Sequence, residues 1–295
     1  MRVFLTGATG WVGSAIVREL LDAGHEVLGL ARNDAGADTL ARSGVEVHRG
    51  ELTDLGSLAA GAGACEGVIH TAFIHDFSQY QANVETDRRA VEAMAGVLEG
   101  SGKPLVIASG TMMVAHARPA TEQDAPVSFD VPRAAAEAMV LAASSRGVRG
   151  SVVRLPPTVH GAGDHGFVPR LIDLARGKGA AAYVGDGANR WPAVRRLDAA
   201  RLFRLALESA EPGSRLHAVA EEGVPMRAIA EAIGAGLGLP VRALTEDEAP
   251  AHFDFLARLI AIDNPASSAL TRGALGWRPR EPDLLTDMRD GGYFS

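Results

Sequence analysis

The chain lacks much of what several function classes require. It has one cysteine, Cys65, in 295 residues, so neither an internal disulfide nor a cysteine-based zinc site can form. Of its 29 basic residues only Lys103 and Lys178 are lysines, and no Lys/Arg block stands out. Against 36 acidic residues the net charge is −7, so no nucleic-acid partner is expected. No apolar run reaches the ~18 residues of a membrane span, so no membrane partner is expected either. The apolar start is cut by Thr6, Gly7 and Gly10 and becomes charged at Arg18 and Glu19. It reads as a strand and a helix, not a signal peptide, and the expected compartment is the cytoplasm. Neither a G-x-S-x-G elbow nor a P-loop occurs, which argues against an α/β-hydrolase and an NTPase. Tyrosine occurs three times, at Tyr80, Tyr183 and Tyr293.

The composition itself, 47% hydrophobic and 22% charged, is that of an ordinary globular chain with enough apolar material for a core. Short apolar runs at 2–6, 26–31, 45–48, 67–70, 105–109 and 151–155 read as strands. Helical patterns at 11–23, 37–43, 79–99 and 132–145 lie between them. That alternation predicts βαβ units and a parallel sheet, and strands without polar alternation fit a sheet covered on both faces. After about Pro156 the texture changes, with more Gly, Pro and Asp and with helices expected at 167–175, 199–207, 226–235 and 246–262. The expected fold is therefore α/β, a Rossmann-type doubly wound parallel sheet over 1–156. A smaller substrate lobe follows over 157–295, with some segments returning to the sheet.

The segment from Thr6 to Gly13, reading TGATGWVG, follows the first strand and opens the first helix. Gly7 permits a tight turn, Gly10 lets backbone approach a pyrophosphate, and Gly13 lets helix pack on strand. The helix start then offers unpaired N–H groups to the phosphates. In this context the motif predicts dinucleotide binding by Gly7, Thr9, Gly10, Trp11, Val12 and Gly13.

With this motif the chain resembles the short-chain dehydrogenase/reductase superfamily, in its extended, epimerase-like branch. Gly50-Glu51-Leu52-Thr53-Asp54 is similar to that branch's GDLxD segment, with Glu51 where the family has Asp. Val68-Ile69-His70-Thr71-Ala72 resembles its VIHxA strand end, and Asn83-Val84-Glu85-Thr86 its NVxGT helix start. Gly185-Asp186-Gly187 with Asp198, and Leu275-Gly276-Trp277-Arg278-Pro279, resemble segments of its second half. The resemblance implies further cofactor contacts from Glu51, Leu52, Thr71, Ala72, Phe73, Asn83, Ser109 and Arg133. It also implies a homodimer paired through the helices at 79–99 and 132–145.

An NAD site places an acid at the end of the second strand to hold the ribose hydroxyls. Here that position is Ala31, and Arg32 follows. An Arg can bind a 2′-phosphate bidentately, so NADP(H) is expected over NAD(H), although Asp34 lies nearby.

The superfamily's usual acid/base is a Tyr with a Lys four residues later. No tyrosine here has a lysine at that offset. Registered on Ala136 and Glu137, the resemblance puts Phe129 at the Tyr position and Arg133 at the Lys position. Phe has no proton to transfer; Arg stays charged and can hold ribose hydroxyls or an oxyanion. The remaining candidates for the proton are Thr111, just past the fifth strand, His160, after the sixth, and water, with Tyr183 expected instead in the core or a pocket wall. His75-Asp76 and Asp164-His165 are not expected to bind metal, because adjacent side chains face apart. Three readings stay open: an NADP(H)-dependent reductase of a small carbonyl or conjugated substrate, a nucleotide-binding regulatory module without turnover, and a non-redox isomerase or lyase.

Overall fold

The computed structural model describes residues 1–74, 79–115, 118–127 and 133–294. Strands β1 (Arg2–Thr6), β2 (Glu26–Ala31), β3 (Glu46–Arg49), β4 (Gly67–His70), β5 (Pro104–Gly110) and β6 (Arg149–Leu155) are joined by helices. Those helices are α1 (Trp11–Asp22), α2 (Asp34–Arg42), α3 (Leu55–Gly63), α4 (Tyr80–Leu98) and α5 (Ala134–Ala143). All pairings in the central sheet are parallel. Its order places β1, β2, β3 on one side of the midline and β4, β5, β6 on the other. The chain thus reverses its direction of travel between β1 and β4, and the crevice at their carboxyl ends is where such sheets bind ligands. The inner strands are buried on both faces, with Val3, Phe4, Leu5, Val68 and Ile69 wholly inaccessible.

After Pro156 the chain continues with β7 (Thr158–His160), α6 (Phe167–Lys178), β8 (Ala181–Val184), β9 (Arg190–Arg195) and α7 (Arg196–Ser209). β10 (Ser214–His217) then pairs with β6 and becomes the seventh strand of the central sheet. α7 packs along α1, so Leu202 and Phe203 join the core beneath β1. β11 (Glu221–Pro225) completes a three-stranded sheet with β9 and β7. α8 (Met226–Leu237) leads to β12 (Val241–Leu244), which pairs with β8. Four short helices end the chain: α9 (Ala249–Phe253), α10 (Ala257–Ile260), α11 (Ala269–Leu275) and α12 (Leu284–Asp290). Among the described residues no helix is long and apolar enough to cross a membrane.

Beyond the strands after Leu155 and the last two helices, for which no range was expected, two elements depart from expectation. The single helix expected over 246–262 is broken into α9, a 3-10 turn and α10. Asp254 has φ 54°, a left-handed conformation that no α-helix propagates. Helix α3 was not expected at all, because Gly56, Gly61 and Gly63 weaken its signal. The structure explains one of them: a Cβ on Gly61 would lie 2.6 Å from the Phe4 ring. Asp54 caps the helix by accepting the Ser57 N–H at 2.9 Å.

Candidate active site

The glycine turn sits at the crevice. Gly7 has φ 74°, and a Cβ there would lie 2.7 Å from both the Ala72 nitrogen and Thr71 Oγ1. A Cβ on Gly13 would lie 2.0 Å from the Gly7 carbonyl oxygen, so any side chain there would push α1 off the turn. Gly10 caps α1 without a side-chain hydrogen bond, and no acidic residue sits in the first turn. The amides at the helix start, from Trp11 to Gly13, have no intrahelical acceptor and meet no negative charge from their own helix. Thr9 and Gly10 are exposed. The Trp11 indole donates to the Val159 carbonyl at 2.9 Å, and Arg196 stacks on its ring at 4.1 Å. Val12 is half-buried against the core beneath the sheet.

At the far end of β2, Arg32 is exposed. Asn33 caps α2 by accepting the Gly36 N–H at 2.9 Å. Asp34, the acid nearest the expected 2′-phosphate position, is bonded to Arg49 Nη2 at 2.5 Å. Ala31 and Arg49 are register partners on β2 and β3. This edge therefore presents Arg32 as an open cation and Asp34 as an acid already countered. Glu51 accepts the Thr53 hydroxyl at 2.7 Å, and Leu52 is half-buried beside it.

The other end of the crevice is built on a buried polar chain. Thr71 Oγ1 donates to the Thr6 carbonyl at 2.9 Å, and Thr6 Oγ1 meets His70 Nδ1 at 2.7 Å. His70 Nε2 meets Asp87 Oδ1 at 3.1 Å, and Asp87 Oδ2 lies 3.7 Å from Arg133 Nε. Burial alone would push the Asp87 carboxyl up. The Arg133 guanidinium and the His70 hydrogen bond outweigh it and hold the carboxyl below its ordinary range. Arg133 carries φ 73° and lies over the Phe73 ring at 4.7 Å. Its Nε and Nη2 are buried, and among the described residues neither has a hydrogen-bond partner. Two orphaned donors in such a place fit oxygen acceptors of a bound nucleotide. Asn83 lies one turn before Asp87 on α4 and is buried.

The candidate hydroxyls are engaged elsewhere. Ser109 donates to Glu137 Oε2 at 3.2 Å. Glu137 also takes Arg154 in a two-point, fully buried pair and accepts from Arg215 Nε at 3.1 Å. Thr111 is wholly buried and accepts from Asn264 Nδ2 at 3.0 Å. His160 is 1% exposed, with Nδ1 2.8 Å from Asp287 Oδ2 and, among the described residues, no partner for Nε2. Phe129, at the position of the family's tyrosine, lies outside the described residues, as do His75 and Asp76. Among the described residues no group of three or more His, Cys, Asp or Glu could hold a metal ion.

Sequence reasoning missed Asp87, Asn264 and Asp287. For Asp87 a signal existed, because it lies four residues after Asn83 and so on the same helix face. Asn264 and Asp287 meet their partners from 153 and 127 residues away, and no local pattern announces that.

A glycine turn of this shape at a reversing parallel sheet defines a dinucleotide-binding α/β protein. The family model described as the NAD dependent epimerase/dehydratase family matches residues 3–219, and the chain belongs to that family. It is 49% identical over all of its length to an uncharacterized protein of Schizosaccharomyces pombe, whose whole length is also covered. It is 30% identical over 81% of its length to the 2-alkyl-3-oxoalkanoate reductase of Stenotrophomonas maltophilia, 77% of which is covered. The fold is similar to that of the dTDP-glucose 4,6-dehydratase DesIV of Streptomyces venezuelae, solved with NAD bound. The TM-score there is 0.79 at 21% identity, covering 100% of this chain and 97% of that one.

Proposed function

We propose that the chain is an NADP(H)-dependent oxidoreductase that reduces a small carbonyl or conjugated compound. The observation that carries this reading is the turn from Gly7 to Gly13, where every position that a side chain would block is glycine. Its amides, with Thr9, Trp11 and Val12 around them, hold the pyrophosphate. Arg32 takes the 2′-phosphate, with Arg49 keeping the Asp34 charge out of its way. Glu51 and Leu52 flank the adenine, Thr71 and Ala72 line the crevice beside Gly7, Phe73 lies beneath Arg133, and Ser109 lies at the end of β5. Asn83 and Arg133 serve the nicotinamide ribose, the two orphaned guanidinium nitrogens accounting for its oxygen atoms. When bound, the nucleotide supplies hydride, the hard part of the chemistry. The chain's own work is to orient the carbonyl and to stabilise charge developing on its oxygen, for which the Arg133 cation is placed.

The reductase name of the Stenotrophomonas relative supports carbonyl reduction, and it guides the choice of probe. Calorimetric titration with NADPH and NADH, followed by NADPH oxidation with ethyl 2-methylacetoacetate, tests both parts. Tighter binding of NADH than of NADPH would overturn the cofactor preference. One observation favours a second reading, a nucleotide-binding module without turnover: Ser109 and Thr111 are committed to Glu137 and Asn264. Measured turnover would remove that reading. Pairing of two copies through α4 and α5 belongs to the same proposal, and light scattering during size exclusion reads it directly.

A further inference from the structure

We propose that Tyr80 is the proton donor of this site, with Arg133 supporting its phenolate and Asp87 positioning Arg133. The proposal rests on the reading that the crevice takes a nicotinamide nucleotide. It places on α4 the phenol that the family carries four residues before its lysine.

The first turns of α4 put Tyr80, Asn83 and Asp87 at spacings of three and four, hence on one helix face. Asp87 on that face lies 3.7 Å from Arg133 Nε. The Phe73 ring joins Arg133 and Tyr80: Arg133 lies over it at 4.7 Å, and the Tyr80 ring meets it edge-on at 6.2 Å and 72°. Burial pushes the Tyr80 phenol up, the Arg133 charge draws it down, and the Asp87 charge adds to the rise, so both groups act on it electrostatically. Asp87 is fastened through His70 to Thr6, the last residue before the glycine turn. The charge beside Tyr80 is therefore built onto the same frame that holds the nucleotide. Arg133 keeps a left-handed backbone, a conformation unfavourable outside glycine. Such strain persists where the surroundings impose it, and it sits here at the residue that shares the Phe73 ring with Tyr80.

The other two phenols are placed differently. Tyr183 is buried in the core of the second half. Tyr293 accepts the Gly161 N–H at 3.0 Å and donates to Asp164 Oδ2 at 2.9 Å. Among the described tyrosines Tyr80 alone shares a ring neighbour, Phe73, with Arg133.

With the bound nucleotide supplying hydride to the carbonyl carbon, the C=O π pair would move to oxygen. That oxygen takes the Tyr80 proton. A C–H and an O–H bond form, the carbonyl is reduced and the nucleotide oxidised, and the phenolate recovers its proton from water. Arg133 stays protonated throughout and stabilises the phenolate.

Three variants test this: Tyr80→Phe, Arg133→Gln and Asp87→Asn. The first readout needs no substrate. Tyrosinate absorbance is titrated against pH, and the difference between wild type and Tyr80→Phe isolates Tyr80 among three tyrosines. Arg133→Gln should raise that midpoint and Asp87→Asn should lower it, each by about half a pH unit or more. The second readout is NADPH oxidation with ethyl 2-methylacetoacetate, which Tyr80→Phe should slow by about 100-fold. Tyr80→Phe should leave the NADPH dissociation constant within about threefold, as a proton donor that does not hold the ground-state nucleotide would. An unmoved midpoint in both charge variants overturns the proposal, as does a Tyr80→Phe enzyme that turns over like the wild type. The titration decides alone if the probe is not turned over. A wild type that binds no NADPH would remove the cofactor reading and the role of Tyr80 with it; NADPH binding with an unmoved midpoint would remove the role alone.

Discussion

The two ends of the crevice follow different rules. At the end proposed for the pyrophosphate, the features are in backbone: glycines where a Cβ would collide, amides left open at a helix start, and a cation past the strand end. At the end proposed for the nicotinamide, they are in side chains gathered from β1, β4, α4 and the residue before α5. Backbone geometry admits few sequences, so the first end carries a recognisable motif. Side-chain chemistry can come from any element that the fold brings near, so the second end shows no short motif: no tyrosine has a lysine four residues later, and a charged, buried network stands there instead.

The first end should break hardest. Gly13→Val would drive α1 from the turn, since even a Cβ would meet the Gly7 oxygen at 2.0 Å. NADPH affinity should fall by about 100-fold or more, as displacement of ~1 Å at such a site does, and the melting temperature should drop as well. Calorimetry and a thermal scan check both. Next is Glu137→Ala, which leaves Arg154 buried without its carboxylate. Breaking a buried pair in this way costs about 3–5 kcal/mol, readable in urea unfolding. If nucleotide affinity at pH 7 survives that change in the remaining folded protein, the two ends are energetically separate. Arg32→Ser should weaken NADPH by about tenfold or more and leave NADH nearly unchanged, reading the cation at β2 on its own.

The smallest effect sharpens the nicotinamide end. Asp87 is held below the ordinary carboxylate range in the folded state. Its contribution is therefore complete above its unfolded pKa of ~3.9 and lost as pH falls through the lower folded value. Asp87→Asn should flatten the acid side of the stability profile below about pH 4, with the neutral side changed less in slope. A wild-type acid limb identical to that of Asp87→Asn would show that the carboxylate is not stabilised by Arg133 and His70.

Much of the fold was legible in residues 1–156. Six apolar strands at regular spacing and a glycine turn after the first are strong local signals, and all six strands stand in the central sheet. Helix α3 was hidden because Gly61 serves the Phe4 contact at the expense of helix propensity. The helix expected over 246–262 failed at Asp254, whose left-handed backbone no periodicity reveals. At the candidate site, the register singles out Arg133 as a candidate but not its partner Asp87, although the spacing from Asn83 points to the same face. The engagement of Ser109, Thr111 and His160 was invisible, because Glu137, Asn264 and Asp287 reach them only through the tertiary fold.

The most direct test of the account is a calorimetric titration of the wild-type chain with NADPH and with NADH at equal ionic strength. Saturable one-site binding with a dissociation constant about tenfold lower for NADPH is the result predicted. No heat with either nucleotide, together with an unshifted melting temperature, would contradict it.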